Sequence, residues 1–182
     1  AGGPFELVVE GKNRLVLRDV LVGEVWICSG QSNMEWPLSA SFEPQAAISA
    51  SANPNLRLFT APKLKAESPV DDVKASWVQC NPETVKGFSA VGYFFGRDLQ
   101  KTRGVPVGLI HTSWGGSPAE VWMRHEVLAA NADYKRTILD PAPEQARKFK
   151  EELAKWEKET AELKQQGKEQ KRGRPWANWS PS

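Results

Sequence analysis

The sequence predicts an α/β chain with a parallel sheet and a short N-terminal β-hairpin. A nearly continuous β-branched and aromatic run, Val20 to Cys28, has little alternation and suits a strand covered on both faces by helices. A helical repeat over Ala90 to Lys101 leads into a second apolar run from Val105, and strand–helix–strand order belongs to parallel sheets. Both apolar runs then break into glycine and small polar residues, at Ser29–Asn33 and at Ser113–Ser117, as strands do where they hand the chain to a helix.

Composition sets the outer bounds. With 182 residues, 40% of them hydrophobic and 25% charged, the chain has apolar matter for one main core. The net charge of +2 has its Lys and Arg concentrated towards the C-terminus, so no single-sign face points to nucleic acid. No apolar stretch is long enough to cross a bilayer, and the first residues, starting at Ala1, lack the basic-then-apolar pattern of a signal peptide. Cys28 and Cys80 have neither zinc-ligand spacing nor the density of a disulfide scaffold; Cys28, at the end of a strand, reads as a small hydrophobe. The eight tryptophans read mostly as core residues, although aromatic faces also line sugar clefts.

In order along the chain, Phe5–Val9 and Leu15–Leu17 are short strands joined by the polar turn Glu10-Gly11-Lys12-Asn13-Arg14. A lone hairpin is marginal in water, so this one is expected to join a larger sheet. After the Val20–Cys28 strand, Pro37 and Pro44 leave only the stretch around Ala46-Ala47-Ile48 to be helical. Asn55–Thr60 alternates with β-formers and stops before Pro62, a strand; Lys63–Ser76 is a polar loop, and Trp77–Asn81 adds a short extended piece. Ser89 caps the helix over Ala90–Lys101, where Val91, Phe94, Phe95 and Leu99 share one face, and Gly104 closes it. Val105 to Trp114 is the next strand, followed by a turn in which Pro118 and Glu120 suit the start of another helix. From Glu144 to Gln166 an amphipathic helix carries Phe149, Leu153, Trp156, Thr160 and Leu163 on one stripe, with Glu151–Lys155 and Lys158–Glu162 as i,i+4 pairs; Gly167 ends it. Lys168–Ser182 reads as a loop.

Two turns are candidates for chemistry. Gly30 allows a sharp bend, and Ser32 then stands near the start of a helix, where unpaired N–H groups favour developing negative charge; a serine so placed is a candidate nucleophile. Met34 stands where the α/β-hydrolase elbow needs glycine, so that pattern is excluded. Ligands gather at the carboxyl ends of strands in open α/β sheets, which would bring Trp114-Gly115-Gly116 beside Ser32. Gln31 and Asn33 either orient the turn and contact substrate or bond only local backbone.

The strings Gly-Glu-Val-Trp-Ile-Cys-Ser-Gly-Gln-Ser-Asn-Met (residues 23–34), Phe-Ser-Ala-Val-Gly-Tyr-Phe-Phe-Gly-Arg (88–97) and Ser-Trp-Gly-Gly (113–116), together with Trp122, resemble the SGNH hydrolases, in the branch of sialate O-acetylesterases and related carbohydrate acetylesterases. The resemblance runs from about Phe5 to Trp122 and weakens after Ala130. It implies a flavodoxin-like three-layer fold, incomplete here, with residues 1–19 ending an N-terminal β-domain, 20–140 forming the N-terminal part of the hydrolase domain, and 141–182 a helical insertion and loop. It implies a serine esterase acting on acetylated carbohydrate with no cofactor or metal, and a secreted or periplasmic location. Ser32 would be the nucleophile, with the backbone N–H groups of Ser32 and of Gly115 or Gly116 forming the oxyanion hole, and Gln31, Asn33 and Trp114 contacting substrate. The family's base is a histidine in a downstream Asp-x-x-His block. His111 follows Gly108 by three residues and His125 follows Trp122, so neither carries that signature, and both read as structural. A C-terminal catalytic segment is therefore expected to be missing. The competing class is a non-catalytic carbohydrate-binding or interaction module using exposed tryptophans such as Trp36, Trp114 and Trp122.

Overall fold

In the computed structural model, which describes residues 1–66 and 70–176, the apolar run from Val20 to Cys28 is divided at Gly23. A Cβ there would lie 2.0 Å from Pro106 O, and the next amide, Glu24 N–H, donates to that carbonyl at 3.0 Å. Residues before the bend finish β2 (Arg14–Val22) and those after it form β3 (Glu24–Cys28). The single strand expected from the sequence is thus two, because the Pro106 carbonyl occupies the space a side chain would need.

The hairpin pairs β1 (Gly2–Glu10) antiparallel with β2, closing at Glu10 opposite Arg14. Both strands are longer than the alternation suggested. Among the described residues they pair only with each other, not within the larger sheet that was expected, and Phe5, Leu7, Val9, Leu15 and Leu17 stay about half exposed. The hairpin is tied instead by a bidentate clamp: Arg57 donates Nη1–H to Asp19 Oδ2 at 2.6 Å and Nη2–H to Oδ1 at 2.8 Å.

The second sheet adds β4 (Asn53–Thr60), β5 (Val78–Cys80) and β6 (Val107–His111), in the order β3-β6-β4-β5. β3, β6 and β4 run parallel, with Cys28 and Thr60 both level with His111, so three strands end together. β5 joins antiparallel, making the sheet mixed rather than parallel throughout. Among the described residues three α-helices precede β6, α1 (Ser32–Glu35), α2 (Pro44–Ser49) and α3 (Ala90–Arg103), with one 3-10 turn at Leu38–Ala40. α3 is capped as expected, Ser89 Oγ accepting Gly92 N–H at 3.0 Å, and it ends at Gly104 with φ 64°.

The core lies between α3 and one face of this sheet. Leu56, Leu58, Val107 and Leu109 alternate onto that face and are fully buried with Leu38, Val85 and Tyr93. Each such leucine contributes on the order of 2 kcal/mol through area removed from water. On the opposite face Trp77 lies over Gly108 and beside the Phe59 ring, 5.4 Å between centroids. Val25 and Ile27, in β3 at the sheet edge, are 61% and 70% exposed, so the expected cover on both faces of that strand is not found. No described tryptophan is fully buried, which corrects the core reading. Trp26 sits at the edge against Phe95 (5.1 Å), and Trp36, Trp77, Trp122 and Trp176 are exposed; Trp179 lies outside the described residues.

The residues up to Gly116 that contain both sheets form one compact unit, and those from Ser117 onward form another. In the second, the helix expected after Pro118 is one 3-10 turn, Ala119–Trp122. α4 (His125–Ala130), α5 (Ala132–Tyr134) and a π-helical stretch, Lys135–Leu139, follow, with Asn131 Oδ1 accepting the Asp133 and Tyr134 N–H groups. α6 (Ala142–Gln165) has no fully buried residue; Phe149, Leu153, Trp156, Thr160 and Leu163 are half-buried along one stripe, as their spacing predicts. Glu151 pairs with Arg147, one turn towards the N-terminus. At the end, Gly167 adopts φ 69°, Lys168 N–H donates to Leu163 O and Gly167 N–H to Lys164 O, a Schellman closure. Trp156 Nε1–H then donates to Arg172 O at 2.8 Å. The tail beyond Trp176 lies outside the described residues, as does 67–69 within the loop expected at 63–76.

Candidate active site

Because β3 and β6 are parallel neighbours, the turns that leave them emerge side by side. The ladder continues past both strands: Thr112 N–H donates to Cys28 O at 3.0 Å and Trp114 N–H to Gly30 O at 2.9 Å. Gly30 takes φ 141°, a region side chains rarely adopt, and turns the chain into α1. That helix is a single turn of four residues, closed by Glu35 N–H to Gln31 O and Trp36 N–H to Ser32 O. It is too short for the dipole argument made from the sequence.

Ser32 is exposed on this turn, flanked by exposed Gln31 and Asn33. Gly30, Gln31, Ser32, Asn33, Met34 and Val91 line a cleft of about 440 Å³. Behind it, Met34 packs on the core and accepts from Ser89 Oγ, while Ala90 N–H donates to Trp36 O at 2.8 Å and Leu38 N–H to Phe88 O at 2.9 Å. The start of α3 thus anchors the turn. Gln31 gives α1 no side-chain cap.

Gly115 meets Ser32 closely: a methyl group added to it would stand 3.6 Å from Ser32 Cα and 2.8 Å from Glu35 Oε2. Its N–H donates to that same Glu35 carboxylate oxygen, while the other oxygen, Oε1, is paired with Lys63 Nζ. Lys63, from the loop after β4, also lies 5.7 Å from the Trp114 ring centroid. The Lys63 ammonium, and then the Gly115 amide, hold the Glu35 carboxyl below its ordinary range. Gly116, exposed, takes φ 77°.

His111, at the end of β6, is buried against Phe88, with Nε2 hydrogen-bonded to Ser113 Oγ and Nδ1 without a partner among the described residues. Burial lowers its pKa, with Lys63 acting in the same direction and Glu35 opposing. His125 begins α4. Cys28 and Cys80 are both buried and unbridged, and burial pushes the Cys80 thiol up to about 12.

With that geometry in place, comparison with known proteins is decisive. Residues 22–169 match the profile of a family described as carbohydrate esterase, sialic acid-specific acetylesterase. The chain belongs to this family. The sialate O-acetylesterases of Mus musculus and Homo sapiens are each 37% identical to it over 143 residues, 71% of this chain. It spans about a quarter of their length, 26% and 27% respectively. A crystal structure of a carbohydrate acetylesterase from Xanthomonas citri superposes with a TM-score of 0.68 at 41% identity, over 75% of this chain and 32% of that one.

For this acetylesterase-family chain, the structure brings together Ser32, Gln31, Asn33, Trp114, Gly115 and Gly116 at one end of the sheet. Neither Glu35, just before Pro37, nor Lys63, in the polar loop after β4, stands out by sequence pattern. The available signal was positional, since each lies within three residues of where a parallel strand or the turn after it ends.

Proposed function

We propose that this chain carries the nucleophile and oxyanion-binding part of a serine esterase that removes O-acetyl groups from carbohydrates of the sialate type. The observation that carries the reading is the convergence of Ser32 and the Gly115–Gly116 turn at the carboxyl ends of two adjacent parallel strands, beside a cleft. Ser32 Oγ attacks the acetyl carbonyl carbon while its proton passes to a base. The tetrahedral oxyanion is met by the Ser32 and Gly116 N–H groups, each such donor contributing about 3 kcal/mol in the transition state; Gly115 N–H is committed to Glu35. The sugar oxygen leaves with a proton, and water then releases acetate from acetyl-Ser32 by the same route. Gln31, Asn33 and Trp114 border the approach to Ser32 and contact the sugar.

The base comes from the family's Asp-x-x-His block, a pattern that neither His111 nor His125 fits. We place the activity outside the cytoplasm, on the same resemblance. The test joins this chain to the downstream segment of a full-length relative bearing that block. The hybrid should deacetylate O-acetylated sialate and lose at least about a hundredfold in kcat on Ser32→Ala, whereas the 182-residue chain alone turns over little. Undiminished turnover in the Ser32→Ala hybrid refutes the nucleophile.

The exposure of Trp36 and Trp122 favours a second reading, a carbohydrate-binding module without catalysis. It predicts saturable sugar binding by the chain, unchanged by Ser32→Ala, and no phosphonylation of Ser32 by an organophosphate in the hybrid.

A further inference from the structure

We propose that Glu35 is a positioning residue that holds the Trp-Gly-Gly turn against the nucleophile turn, with Lys63 as its neutralising partner. The proposal rests on the reading of Ser32 as nucleophile and extends it to a carboxylate three residues further on. From α1, Glu35 takes the Gly115 amide that follows β6 with one oxygen and the Lys63 ammonium that follows β4 with the other. One side chain therefore ties together the carboxyl ends of three adjacent parallel strands, at the spot where a Cβ on Gly115 would stand 3.6 Å from Ser32 Cα.

The arrangement has an electrostatic logic. A bare carboxylate beside an acyl group that is gaining negative charge would oppose that charge. Lys63 cancels it and is itself steadied over Trp114. With Gly115 N–H bonded to Glu35, the next residue, Gly116, is the one whose backbone is offered to the oxyanion, and Glu35 fixes where it stands. The charged and titratable groups facing Glu35 are Lys63, from the loop after β4, and His111, at the end of β6. Lys63 and the Gly115 amide keep the carboxylate ionised through neutral pH, so the tie holds there and is released on acidification below the ordinary glutamate value of 4.5.

The primary test is an NMR titration of the 182-residue chain followed at the Gly115 amide. Its resonance should move with a single carboxylate titration whose midpoint lies below 4.5. Glu35→Gln should abolish the titration while keeping the amide in its hydrogen-bonded position, and Glu35→Ala should lose both. In the hybrid, Glu35→Ala should lower kcat by about tenfold or more with KM little changed. Glu35→Gln should recover most of that loss, and Lys63→Ala should cost nothing further once Glu35 is gone. A Gly115 amide indifferent to Glu35→Ala overturns the proposal, as do equal rates for the Ala and Gln variants. If Ser32→Ala abolishes turnover and Glu35→Ala does not, only the positioning role fails. If Ser32→Ala leaves turnover intact, the nucleophile reading fails while the Gly115 titration still reports the contact.

Discussion

Leu109 and Leu153 are the same side chain in two settings. Leu109, in β6, is fully buried between strands and α3, with neighbours drawn from residues tens of positions away in sequence. Leu153, on α6, is half-buried in a helix that has no fully buried residue, whose hydrogen bonds run one turn apart to its closing turn and whose ion pairs, Arg147 to Glu144 and to Glu151, are exposed. The sheet region is stabilised by non-local packing, and α6 by local geometry along a chain with strong helical preference. Regions of the first kind unfold together; those of the second fray.

The comparison is open to attack. Leu109→Ala should cost about 3 kcal/mol, the usual range for a buried leucine truncated in a packed core, while Leu153→Ala should cost about 1 kcal/mol because its site is already partly wet. Urea unfolding of both variants measures this, and equal losses would erase the distinction. A smaller effect should come from His111. Burial depresses its folded pKa below the ordinary 6.5, so the unfolded chain binds the proton more readily. The stability this contributes is present above pH 6.5 and lost as the pH falls through the folded value. Melting temperatures measured downward from pH 7.5 should therefore decline once the pH passes below 6.5, and His111→Gln should flatten that decline. Glu35, whose folded pKa is also depressed, adds a loss only as the pH falls below 4.5, whereas that of His111 sets in below 6.5. The smallest effect is Arg147→Ala, at an exposed pair on α6, which should leave the unfolding midpoint unchanged within error. A clear drop would mean that surface ions, not helical preference, sustain α6.

What the sequence made legible follows the same division. α6 and α3 were readable nearly to their ends, because Phe149, Leu153, Trp156 and Leu163, or Val91, Phe94 and Leu99, announce a helix by spacing alone, and Ser89 and Gly167 announce its limits. The convergence of Ser32 with Gly115 was inferable from strand order and the carboxyl-end rule. Three things were not. The break at Gly23 depends on Pro106, over eighty residues away, and no local pattern encodes that contact. The tryptophans looked internal by type, but Trp26 and Trp77 lie at an edge and over a glycine, places fixed only by register. Glu35 and Lys63 matter because of where β3 and β4 end relative to β6, which periodicity does not reveal.

The strand order carries a consequence for synthesis. β6 is made last of the three parallel strands yet lies between the other two, so β3 and β4 have no shared edge until it arrives. Roughly 50 residues separate the end of β4 from the end of β6, and at about 5–20 residues per second the ribosome takes several seconds to supply them. During that interval β3 has no strand partner and β4 can pair only with β5, and the serine turn has no opposing amides to face.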